Sequence, residues 1–205
     1  MENYLQPDQI SVPQTNFQLG YYLSDHYSIS IGFDHMKYVM TRIQNVNMEG
    51  YIRGTDTDYD GVYQNEQIEL TPLLLTYEHS DGLNYLFAEF SRHDRALTLW
   101  DNAFQIEMSE GLGAGALYPR TASRFLVNEL ADDYHFAGYG FHGRVGIQFL
   151  LFKYVSIQTN LKGGFIHLPD VVTSNRAGEG ARQHFWYLQG NLLFGVSIPV
   201  FHRAN

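Results

Sequence analysis

Between Tyr154 and His167 apolar and polar positions alternate almost without error. Val155, Ile157, Thr159, Leu161, Gly163 and Phe165 share one parity; Ser156, Gln158, Asn160, Lys162 and Gly164 share the other. From Phe185 to Phe201 the pattern recurs, with Trp186, Leu188, Leu192, Phe194, Val196, Ile198 and Val200 on one side and Tyr187, Gln189, Asn191, Gly195 and Ser197 on the other. Side chains of a strand point alternately to its two faces, so these are strands with one oily and one polar face. The polar sets are too charged and too rich in hydrogen-bonding groups for a dry sandwich core, and the oily sets are long enough to cross a bilayer. The pattern predicts an all-β, transmembrane, antiparallel up-and-down β-barrel, oily side outward.

The rest of the chain extends the pattern. Residues 1–14 carry Pro7 and Pro13 and read as an extended polar leader, leaving 15–205 as a single barrel domain. Strands are expected at 16–23, 27–38, 68–78, 84–92, 104–117 and 139–152, with Ser80-Asp81-Gly82 and Lys153-Tyr154 as tight turns. Glu110 falls on the oily parity, which places a bulge near Gly111 or puts Glu110 at a membrane interface. Residues 41–67, 118–137 and 169–183 are read as long loops. The count is eight strands, with ten open. The short connections then fall on both sides of the barrel, and the long 41–67 connection on the periplasmic side; a ten-strand count or missing N-terminal strands would remove that conflict.

Composition fits. Of 205 residues 15 are Tyr, 14 Phe and 19 Gly, as aromatic girdles and tightly curved strands require. No run of about 18 apolar residues is present to make a spanning helix. There is no cysteine, which excludes disulfides and thiolate chemistry. A net charge of −9 with no basic stripe argues against nucleic acid and favours divalent cations or basic partners at acidic loops. The opening MENYLQPDQI lacks the apolar core of a secretory signal, so a signal peptide is expected to have been trimmed.

Parity places Asp34, Glu78, Glu89 and Glu107 inside against Arg144 and Lys162, with Gln18, Gln105, His142, Gln148, Gln158, Asn160, Gln189 and Asn191 around them. An eight-stranded interior is only wide enough for side chains, and unpaired charges there are costly. A closed, salt-bridged interior is the expectation, ahead of a proton or ion path.

Candidate chemistry is sparse. His35 beside Asp34, and His79-Ser80-Asp81, supply the base, nucleophile and orienter of acyl transfer at a barrel rim. No Gly-x-Ser-x-Gly elbow accompanies them, and adjacent His79 and Ser80 leave a strand in opposite directions. Asp56, Asp58 and Asp60 in DTDYDG resemble the start of a calcium loop, but Gln67 stands where its closing Glu belongs. No cofactor is implied, and no His spacing builds a transition-metal site on one strand.

The segments GLGAGALYPRT (111–121), FHGRVGIQFLLFKYVSIQTNLKGGFIHLPDVVT (141–173) and QHFWYLQGNLLFGVSIP (183–199) together resemble the uncharacterised outer-membrane β-barrel proteins of Bacteroidetes-type bacteria. FDHMKYVM (33–40) and YEHSDGLNYLFAEFSRHD (77–94) are similar to the same group. The resemblance covers most of the chain after residue 16. It implies location in the bacterial outer membrane and a barrel architecture, and brings no activity or catalytic residues. One departure is that His202-Arg203-Ala204-Asn205 follow Phe201, where such barrels usually end on an aromatic residue.

The reading is therefore a structural or interaction protein whose loops (118–137, 169–183 and 41–67) meet lipopolysaccharide, outer-membrane lipid or another envelope protein. The alternative is a lipid acyl hydrolase or acyltransferase using His35, His79, Ser80 and Asp81. A second alternative is a soluble lipocalin-like barrel, which requires Trp186, Leu188, Phe194, Val196 and Ile198 to line an inner cavity.

Overall fold

The computed structural model describes residues 15–41, 43–126, 128–173 and 180–198. The leader 1–14, the tail beyond Ile198 and residues 174–179 of the 169–183 loop lie outside them. Every regular element among the described residues is a strand: β1 (Asn16–Tyr22), β2 (Tyr27–Val39), β3 (Gln44–Ile52), β4 (Gly61–Leu70), β5 (Leu75–Leu99), β6 (Phe104–Pro119), β7 (Ala122–Phe125), β8 (Asn128–Ala131), β9 (Gly138–Leu151), β10 (Val155–Val171) and β11 (Ala181–Val196). The protein is all-β, and its pairings are antiparallel.

Seven strands form one meander in the order β1-β2-β5-β6-β9-β10-β11. The sheet is rolled. Asp34 of β2 and Lys162 of β10 are separated by three intervening strands, yet their side chains lie 2.7 Å apart. At the two edges Asn16 Nδ2 of β1 donates to Asn191 Oδ1 of β11 at 3.0 Å. Following the paired residues across the sheet from Asn16 leads through Asp34, Tyr85 and Leu117 to the neighbourhood of Gln183, about eight residues short of Asn191. With strands about 4.8 Å apart and about 3.3 Å per residue, that stagger tilts the strands roughly 40° from the roll axis, as barrel-like sheets require. Among the described residues β1 and β11 are not paired with each other.

The oily parity faces outward throughout. Phe194 is 77% exposed, Trp186 74%, Leu188 73% and Leu112 74%, whereas Lys162 and Arg144 are 3% and 5% exposed. This arrangement is opposite to the one a lipocalin-type cavity requires, because Trp186, Leu188, Phe194, Val196 and Ile198 point away from the interior.

Two readings of the sequence are corrected. Ser80-Asp81-Gly82 is not a reversal; the chain runs through it as one 25-residue strand, β5. A pairing irregularity between Met36 and Tyr38 on β2 absorbs the disturbance, and Gly82 takes a left-handed φ of +90°. The expected strands 68–78 and 84–92 therefore do not form a hairpin, and the wall has seven strands rather than eight among the described residues. The conflict over short connections disappears with them. Residues 23–26, 100–103 and 152–154 all lie at one end, which we call the turn end. The chain leaves β2 after Val39, β6 after Pro119 and β10 after Val171 at the other, the hairpin end. The tight turn at 100–103 uses left-handed Trp100, Asp101 and Asn102. The second correction removes one of the two accounts of Glu110, the bulge near Gly111. The β6 pairings pass through it without a shift, and Glu110 stays outward with Arg92 as its cross-strand partner.

At the hairpin end, the stretches read as loops are partly built. β3 and β4 form a separate two-stranded sheet. β7 pairs with the projecting start of β5, and β8 with β7. Ile52, Leu74 and Leu126 bury themselves together, with Met48, Tyr59, Tyr63 and Ile68 packed against them.

A Cβ at Gly82 would stand 2.2 Å from the His35 ring, on a backbone that side chains rarely adopt. Gly82→Val should cost more than about 1 kcal/mol. Gly190→Ala, where a Cβ meets nothing within 4 Å, should be near neutral; urea titration of the two variants compares them.

Candidate functional site

The interior of the roll has three levels, built by the inward parity of each strand. Nearest the hairpin end it is apolar. Met36, Leu83, Tyr85, Phe87, Leu117, Ala137, Ile166, Leu168 and Val171 form one buried cluster, with Tyr77, Phe185 and Tyr187 against it. This cork departs from the expected charged interior. Its signal was legible in LNYLFAEF (83–90), where Leu83, Tyr85 and Phe87 make the inward parity apolar as well as the outward one.

The middle level holds the charges. Glu89 accepts hydrogen bonds from Arg144 Nε (3.0 Å) and Nη2 (2.8 Å), Ser91 Oγ (2.7 Å), His142 Nε2 (3.0 Å) and Gln18 Nε2 (3.2 Å). Arg144 in turn gives Nη1 to Ser109 and Asn160, and Nη2 also to Ser91. All five guanidinium donors of Arg144 thus have an acceptor. On the other side of the ring, His142 Nδ1 lies 3.0 Å from the Tyr85 hydroxyl, which donates to the Gly140 carbonyl at 3.2 Å. Beside this group Lys162 Nζ donates to Asp34 Oδ2 at 2.7 Å and stands 3.8 Å above the Phe87 ring.

Space for these side chains comes from small inward residues on neighbouring strands. A Cβ at Gly113 would lie 2.4 Å from the His142 ring, and one at Gly32 would lie 2.2 Å from the Phe87 ring. GLGAGA is therefore a volume requirement: β6 gives up its side chains so that β5 and β9 can place theirs.

Four of the six expected network charges, Asp34, Glu89, Arg144 and Lys162, meet in two adjoining pairs. Glu107 is peripheral, 3.7 Å from the half-exposed Arg95. Glu78 does not join them, because continuous β5 turns its neighbours Tyr77 and His79 inward and Glu78 to the opposite face.

Toward the turn end the interior opens into a cavity of about 920 Å³. Ser28, Ser30, Ser91, Gln148, Ser156 and Gln158 line its inner side.

Of the residues considered for acyl transfer, the two histidines take separate partners. His79 is fully buried, with Nδ1 3.2 Å from Thr121 Oγ1 and Nε2 3.3 Å from the Tyr77 hydroxyl. His35 Nδ1 faces Asn84 Oδ1 at 2.8 Å. Hydroxyls thus stand beside His79, but no carboxylate orients either imidazole among the described contacts. The side chains of Ser80 and Asp81 lie outside the described part.

At the calcium-loop candidate the third carboxylate is engaged by its own backbone. The Asp60 carboxylate folds back on its own turn, taking Thr55 Oγ1 and the amides of Thr55 and Gly54. Among the described residues no group of three His, Asp or Glu side chains converges as a metal site. The Thr55 hydroxyl, followed by the Thr55 and Gly54 amides, holds the Asp60 carboxyl below its usual range.

No protein-family model matches the chain, and comparison with curated proteins and with solved structures returns no match.

Two outcomes follow from these contacts. Arg144→Met strands Glu89 among neutral donors and should destabilise the fold by about 3–5 kcal/mol. The double change with Glu89→Gln should recover much of that loss, and denaturant unfolding of both variants measures it. The stability that Asp60 gives its turn is present above the ordinary carboxylate pKa of about 4 and lost as pH falls through the depressed value. Protection of the Gly54 and Thr55 amides, measured relative to the intrinsic exchange rate at each pH, should therefore fall on acidification, and should already be low at neutral pH in Asp60→Asn.

Proposed function

We propose that this chain is a transmembrane β-barrel of the bacterial outer membrane with a sealed interior, acting as a structural or interaction protein through its hairpin end. The observation that carries the reading is the inversion of its faces. A rolled sheet in water buries its apolar parity, whereas this one buries Arg144, Lys162, Glu89 and Asp34 and leaves Phe194, Leu188, Leu192 and Val196 outside. The outward apolar row of β11 from Trp186 to Val196 spans eleven residues, about the nine to eleven that cross a bilayer obliquely.

The location rests also on the likeness of segments 111–121, 141–173 and 183–199 to Bacteroidetes-type outer-membrane barrels. Transport is disfavoured by the cork and the paired charges, which together fill the roll above the cavity. Acyl-chain hydrolysis or transfer is the weaker reading, since His79 is enclosed and meets only the Thr121 and Tyr77 hydroxyls in its described hydrogen bonds. The partner-facing elements are β3–β4 and β7–β8, whose exposed Glu49, Glu66, Glu69, Asp56, Asp58 and Glu129 suit lipid phosphates bridged by divalent cations, or a basic envelope protein.

Membrane fractionation of the native gene product followed by protease shaving tests the reading. Recovery in the outer membrane, with cleavage confined to the hairpin end, is expected; a freely soluble product defeats it. Leu161 faces outward at mid-wall, so Leu161→Arg should cost about 2–4 kcal/mol in the lipid-refolded protein. Lys162→Leu should strand Asp34 inside while leaving the lipid-facing surface unchanged. Heat-modifiable gel mobility across a urea series reads both.

A further inference from the structure

The seam between β1 and β11 has the properties of a binding site. Seven antiparallel strands are an odd number, so β1 and β11 run in the same direction. Below the Asn16–Asn191 bridge the edges part, and residues 17–22 of β1 and 193–198 after and within β11 border the 920 Å³ cavity along its length. The two sides of this slot differ. On the outside Phe17, Leu19, Phe194 and Val196 are exposed. On the inside Gln148 and Ser156, 6% and 5% exposed, have no side-chain hydrogen-bond partner among the described residues, and both line the cavity.

We propose that the seam is an acceptor for one extended strand of a second polypeptide. That strand runs from the turn end to the hairpin end, antiparallel to both edges. It is apolar on its outward parity and small or hydrogen-bonding on its inward one, where it meets Gln148 and Ser156. Such a segment satisfies two rows of backbone groups at once, each of which costs several kcal/mol if left open in hydrocarbon. This energetic argument rests on the transmembrane reading; the shape and polarity of the slot do not. The leader is a poor occupant, since residues 1–14 put Gln6 and Asp8 on one parity and Pro7 and Gln9 on the other, so neither face suits lipid. A second copy in the same orientation offers edges of the same polarity, which meet only in parallel.

The test uses the full chain in detergent micelles and a labelled heptapeptide, VSIQTNL, which has the required alternation. The control has the same residues reordered to lose it. Saturable one-to-one binding of the first, at least tenfold tighter than the control, is expected, with slowed amide exchange along β1 and β11 and several-fold weaker binding in Gln148→Leu. Equal binding of the two peptides, or none, overturns the proposal. So does a spontaneous disulfide in the Gly20→Cys, Gly195→Cys variant, which would mean direct closure of the seam. Cross-linking of Leu5→Cys to Gly195→Cys would also overturn it, by placing the chain's own leader there. Peptide capture by a protein that fails to fractionate with membranes would count against the transmembrane reading alone.

Discussion

At its middle level the roll has room for side chains but little for water, and the charges on its inward parity there must therefore meet one another. Glu89 is where that constraint is tightest. Five donors from β1, β5 and β9 converge on one carboxylate, and Arg144 spends every guanidinium proton on acceptors from β5, β6 and β10. The pair is less a source of net stability than a specification of register. A one-residue slip of any of these strands would turn its inward set to the outside and leave a buried ion alone. Gly32, Gly111 and Gly113 belong to the same solution, since they supply the volume that the large inward residues occupy.

Much of the wall was legible because period-two alternation sustained over ten or more residues marks a strand with two unlike faces. β10 and β11 were plain from Val155 to Phe165 and from Trp186 to Val196, including which face is oily. Segment 77–92 misled, because Asp and Gly serve a bulge as readily as a turn; only pairing with β2 reveals that the chain continues. The true reversal at Trp100-Asp101-Asn102 has no glycine and follows apolar Leu97 and Leu99, so local chemistry gave it little prominence.

The site was legible in part. Asp34, Glu89, Arg144 and Lys162 followed from parity, since charge inside a narrow barrel implies partners. Which partners could not follow, because the contacts join strands that are distant in order: β2 with β10, and β5 with β9. Glu78 was lost to the same misread turn. The apolar cork was missed although LNYLFAEF announces it, and the polar hairpins at 44–70 carry no strong periodicity because their burial is shallow.

The unbroken course of β5 has a mechanical consequence. One strand carries Glu89 in the wall and, through Leu75–Glu78, the pairing surface of β7. The outlying sheet is therefore cantilevered from the wall rather than tethered to it. A receptor that docks on this outlying sheet encounters a surface already held in orientation, and loses little conformational entropy in capturing it.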